Sequence, residues 1–147
     1  MAAIRQASVT WNGDLMSGKG VATADTSKAF SQLPVSWASR AEDSGGNTSP
    51  EELIAAAHAS CFSMALSGGL ARAGTPPEEL QVTATVTFDR VDGGYKVVSS
   101  ALNVRGRVPG IDSGGFQQAA EAAKDGCPVS QALKGNVELS VEATLAG

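Results

Sequence analysis

The stretch TSPEELIAAAHASCFSMALS, residues 48–67, decides the fold. Ser49 suits a helix N-cap and Pro50 the first helical position, where the missing N–H has no intrahelical partner to lose. Glu52, three residues after Ser49, completes a capping box. From Leu53 to Ala71 the run LIAAAHASCFSMALSGGLA holds no Asp, Glu, Lys or Arg. The pattern predicts a helix from Pro50 to about Arg72, loosening at Gly68-Gly69. Its length matches a transmembrane span. Its His, Ser, Gly and Ala content instead suits a helix packed against protein on several sides. A helix with no charged face also predicts a second copy that covers what one small sheet leaves exposed, hence a homodimer.

Outward from this helix, AEDSGGNTS (41–49) reads as a loop before it. IRQASVTW and KGVATAD near the N-terminus read as two weaker strands. LQVTATVTF (80–88) alternates, with Leu80, Val82, Ala84, Val86 and Phe88 on one face. Asp92-Gly93-Gly94 is a turn, and YKVVSSALNVRGRV continues as its partner strand. Ser113 caps a helix through about Lys124, stopped by Gly126, and Cys127-Pro128 opens a helical turn through Leu133. NVELSVEATL (136–145) alternates again. The order of strands, helix, hairpin, helix and strand is α+β, with mainly antiparallel pairing.

The 147 residues suit one domain with a real core, and the net charge of −4 gives no reason to bind nucleic acid or anionic membrane. MAAIRQASVTW lacks the pattern of a secretory signal, so the expected setting is cytoplasmic and a permanent disulfide is not expected. The glycines match neither a phosphate loop nor a dinucleotide fingerprint. Two cysteines and one histidine offer no paired metal-ligand spacing.

What remains is Cys61 and Cys127. A Cys in an Ala-rich helix is usually a small core residue. Cys61 lies eleven residues into its helix, beyond the reach of that helix's dipole, which fades within one turn. His58, three residues earlier, lies on the same face, so a Cys-His hydrolase is geometrically open. A thiol redox enzyme and a non-enzymatic dimeric binding or scaffold protein with packed cysteines stay open beside it.

Residues 48–67 resemble the active-site helix of the osmotically inducible protein C / organic hydroperoxide resistance family, and GCPVSQAL (126–133) resembles its second cysteine motif. PGIDSGGF (109–116) and the order of elements resemble the osmotically inducible protein C branch. The resemblance spans nearly the whole chain, as one domain over residues 1–147. It implies antiparallel sheets flanking long central helices in an intertwined homodimer. It also implies a thiol-dependent peroxidase that reduces organic hydroperoxides and, less efficiently, hydrogen peroxide. By position, Cys61 corresponds to the peroxidatic cysteine, Cys127 to the resolving one, Arg40 to the activating arginine and Glu51 to its carboxylate partner. No cofactor or metal is implied; turnover needs an external dithiol, typically of the lipoyl type. Phe62, Met64 and Leu66 suit an organic substituent, or ordinary core.

Ten residues separate Glu51 from Cys61, roughly 15 Å along one helix and on different faces. If two copies cross antiparallel near Ala55-Ala56-Ala57, each Glu51 approaches the other chain's Cys61. An acidic first-turn residue that only stabilises its helix is the plainer alternative.

Overall fold

The computed structural model describes residues 1–146. The chain forms two compact units, Met1–Leu53 and a second that begins at Ile54. In the first, β1 (Ala7–Asn12), β2 (Lys19–Ala24) and β3 (Leu33–Val35) make an antiparallel sheet in that order. The two weak N-terminal strands are as expected; β3 was not. Pro34 argues against a strand because it has no N–H to donate, yet β3 lies at the sheet edge, where that loss is tolerated. A five-residue helix, α1 (Trp37–Ala41), follows. It holds Arg40, just ahead of the segment 41–49 read as a loop. Ser36 caps it, accepting from the Ser39 N–H at 3.1 Å, while Ser39 Oγ accepts from the Ser36 N–H at 3.0 Å. This is a capping box built with Ser in place of Glu or Gln.

Helix α2 (Pro50–Arg72) begins in the first unit and runs on into the second. Ser49 Oγ accepts from the Glu52 N–H at 3.1 Å, as a cap should. The Glu52 carboxylate accepts the Thr48 hydroxyl at 2.7 Å in place of the expected return bond. The helix does not loosen at Gly68-Gly69; the Arg72 guanidinium lies over Gly68, 3.2 Å from where a Cβ would stand. Length and composition would let α2 cross a membrane, since little of it is buried within the chain. One stripe, His58, Phe62, Leu66 and Leu70, is buried, whereas Ala56, Ala57, Ser60 and Met64 are exposed. Packing on several sides was expected; within one chain, the helix packs on one.

In the second unit, β4 (Glu79–Val91) and β5 (Gly94–Arg107) form an antiparallel hairpin with a bulge at Thr87/Phe88. Gly93 sits at φ +91°, a conformation the two-residue turn requires and a side chain resists. Leu80, Val82, Ala84, Val86 and Phe88 of β4 are half-buried and their neighbours exposed, as the alternation predicts. Helix α3 (Ser113–Gly126) is capped by Asp112, which accepts from the Gly115 N–H at 2.7 Å; Ser113, the expected cap, is its first residue. Then come α4 (Pro128–Leu133) and β6 (Glu138–Leu145). β6 pairs parallel to β5, making the sheet β4-β5-β6, so α3 and α4 form the crossover of a βαβ unit. The core gathers Phe62, Leu66 and Leu70 from α2, Leu102 and Val104 from β5, and Phe116 from α3.

Candidate active site

Pro128 has no N–H, so the first N–H groups that α4 offers are those of Val129 and Ser130. Both meet sulfur. The Val129 N–H donates to Cys61 Sγ at 3.5 Å, and the Ser130 N–H donates to Cys127 Sγ at 3.3 Å. Cys127 thereby caps α4, as its place before Pro128 led one to expect. The N-terminus of α2 lies too far from Cys61 to act on it, but the N-terminus of α4 meets it. No spacing within α2 could reveal a donor that arrives from residue 129.

Both cysteines are free thiols, and the Cys127 thiol lies close enough to act on the titration of Cys61. Cys61 is partly open to solvent; Cys127 is fully buried. Burial pushes the Cys61 thiol above its ordinary value. The Val129 N–H opposes this, and the Cys127 thiol adds to it. With both sulfurs reduced, the pair alone keeps Cys61 protonated. A nucleophilic Cys61 therefore needs a further influence that favours the thiolate, such as a nearby cation.

His58 is fully buried and turns both ring nitrogens to serines: Nδ1 lies 2.6 Å from Ser100 Oγ and Nε2 lies 2.8 Å from Ser130 Oγ. Burial lowers its pKa, so the ring rests neutral. Both ring nitrogens are taken by serines and neither is hydrogen-bonded to Cys61, so the contact that a Cys61-His58 hydrolase pair needs is not made. Ser130 Oγ also lies 3.1 Å from Cys127 Sγ. Sequence reasoning missed Ser100 and Ser130. Ser130 carries a faint signal, three residues after a capping position; Ser100, on a strand 42 positions from His58, carries none.

Arg40 and Glu51 form the other pair, in the first unit. Arg40 Nε donates to Glu51 Oε1 at 2.8 Å, with Glu51 nearly buried and the Arg40 side chain a third exposed. The start of α2 is stapled to α1 and β3: Ser39 Oγ donates to the Thr48 carbonyl at 3.0 Å, and the Thr48 N–H donates to the Pro34 carbonyl at 3.1 Å. Glu51 Oε2 is buried without a hydrogen-bond partner among the described residues. An acidic residue that merely decorates a first turn would face water. Arg40 also borders a cavity of about 340 Å³ with Val9, Trp11, Leu15, Val35 and Trp37. Phe62 and Leu66, candidate substrate contacts by sequence, are core; Met64 is exposed. Among the described residues no cluster of His, Cys, Asp and Glu could hold a metal ion.

A family model described as "OsmC-like protein" matches residues 42–142. The chain is 45% identical to Peroxiredoxin OsmC of Escherichia coli strain K12, over 90% of this chain and 91% of that one. It is 32% identical to the Organic hydroperoxide resistance protein of Xanthomonas axonopodis pv. citri strain 306, over 66% and 67%. Among solved structures, the organic hydroperoxide resistance protein OhrB of Bacillus subtilis superposes with a TM-score of 0.73 at 26% identity, covering 95% of this chain and 98% of that one.

Proposed function

The chain belongs to the OsmC-like protein family, and from that premise we infer that it is a thiol-dependent peroxidase that reduces organic hydroperoxides. The observation that carries the reading is the thiol pair: an accessible Cys61 beside a buried Cys127, both free and both facing the first turn of α4. A Cys61 thiolate attacks the peroxide O–O bond. Its sulfur gains one oxygen as sulfenic acid, and the other oxygen leaves as an alcohol, or as water when hydrogen peroxide is the substrate. Cys127 then displaces the sulfenic hydroxyl as water and forms a disulfide, which keeps Cys61 from sulfinic oxidation. An external dithiol, of lipoyl type, restores both thiols.

Arg40 is the activating cation in this reading. Its guanidinium stays charged at any working pH and favours the thiolate and the charge that grows on the leaving oxygen. Glu51 orients it. The cavity beside Arg40, apolar and flanked by two tryptophans, suits the organic part of the substrate better than hydrogen peroxide. The chain works as one domain in a cytoplasmic homodimer, in which the exposed Ala56-Ala57-Ser60-Met64 face of α2 meets a second copy rather than lipid. The Arg40-Glu51 pair of each chain then serves the Cys61 of the other.

The test is intact mass after one equivalent of cumene hydroperoxide. Wild type is expected to lose two hydrogens; Cys127→Ser gains one or more oxygens, and Cys61→Ser does not change. A wild type that gains oxygen would refute the disulfide step, and one that is unreactive would refute the peroxidase.

A further inference from the structure

Cys127 has no exposed surface, so water cannot take its proton. A thiol attacks as the thiolate, so resolution needs an acceptor inside the protein. One chain of contacts leads away from the sulfur: Cys127 Sγ to Ser130 Oγ at 3.1 Å, Ser130 Oγ to His58 Nε2 at 2.8 Å, and His58 Nδ1 to Ser100 Oγ at 2.6 Å. Resting on the peroxidase reading of Cys127, we propose that Ser130 and His58 relay the proton of the resolving thiol. Ser130 takes that proton as it passes its own to His58 Nε2, and Ser100 holds the ring in the tautomer that can receive it.

The heavy atoms need not move. At rest, the Cys127 S–H donates to Ser130 Oγ, the Ser130 O–H donates to Nε2, and Nδ1–H donates to Ser100 Oγ. After the shift, Nε2–H donates to Ser130 Oγ, and the sulfur anion accepts from both the Ser130 O–H and the Ser130 N–H, the latter already at 3.3 Å. The S–S bond then forms as the Cys61 S–O bond breaks with its electron pair on oxygen. The departing hydroxide is neutralised by the proton held on His58, returned through Ser130, and leaves as water. Atoms and charge balance with no co-reactant. Ser130 touches the reacting sulfur; His58 and Ser100 are positioning residues that act through it. The elements that meet His58 present Ser100 from β5 and Ser130 from α4, and the network's other titratable groups are the two thiols. Burial holds the ring's pKa below its ordinary value.

Rapid mixing with cumene hydroperoxide, acid quench and intact mass resolve Cys61 oxidation from disulfide formation, and the ratio of the two rates is the readout. In wild type the ratio is expected to stay flat between pH 6 and 8, because the proton moves inside the protein. In Ser130→Ala it should fall on the order of 100-fold at pH 7, then climb about tenfold per pH unit as solvent base, admitted only by transient local opening, takes over. Ser130→Thr, which keeps the hydroxyl, should restore the flat profile. A wild-type ratio that itself climbs about tenfold per unit overturns the relay, and needs no variant to fold. So does a folded Ser130→Ala with a wild-type ratio and a flat profile. Wild type that forms no disulfide at any pH is a separate failure, of the peroxidase reading itself.

Discussion

At Cys61 the sulfur is under opposing influences: burial and the neighbouring thiol keep its proton on, and the Val129 N–H draws it off. At His58 burial lowers the pKa, and its consequence for stability is clean to read because the chain has a single histidine. The folded ring titrates below the ordinary value of about 6.5. As pH falls below 6.5 the unfolded chain takes up a proton that the folded chain refuses. Stability is therefore full above 6.5 and declines as pH drops toward the folded value. The thermal midpoint of wild type is expected to hold from pH 8 to 7 and to fall between 6.5 and 5, above the range where carboxylates titrate. His58→Gln should lose that decline; a flat wild-type curve would show the buried ring to be charged or exposed. The two cysteines were legible because each sits in a distinctive motif. Ser100, Ser130 and the Val129 N–H were not, because three elements distant in sequence bring them together.

Among the elements, those with strong local signals came through. The alternation in β4, the Asp92-Gly93 turn and the Ser49-Pro50 start of α2 each encode their structure within a few residues. The differences fell where a contact from elsewhere overrides local preference, as in β3 with its edge proline and β6, whose alternation cannot say whether its partner runs parallel; α1 has a local signal, but its box uses Ser in place of Glu or Gln. Packing of α3 on β5 makes a sharper claim. A Cβ at Gly106 would stand 2.5 Å from Phe116 Cζ, and Phe116 is fully buried. Gly106→Ala is expected to destabilise by about 1–3 kcal/mol through overpacking, measured by urea unfolding. Adding Phe116→Leu should make the alanine cheaper than it is alone; strictly additive costs would mean the ring is not what the methyl meets.

For the whole molecule, the open question is what covers the uncharged face of α2. Cys61→Ser and Glu51→Ala proteins are each expected to be inactive. Unfolded together and refolded, they should give heterodimers in which one intact Cys61 faces one intact Glu51, so activity returns toward half that of wild type per heterodimer. Native mass spectrometry counts the heterodimers; activity no greater than the parents' sum, with heterodimers present, rules out a shared site. The parallel pairing of β6 bears on how such a site comes into being. The β4–β5 hairpin closes through a two-residue turn, whereas bringing Glu138 against Ser99 closes 39 residues of chain. The longer closure costs about 2 kcal/mol more in chain entropy, so it belongs late in the folding sequence. Cys127 and the Val129 N–H that meets Cys61 travel in that crossover, and they are in place only when it closes. On the peroxidase reading Cys61 has no resolving partner until then, so a newly made chain is expected to be most open to irreversible oxidation before it finishes folding.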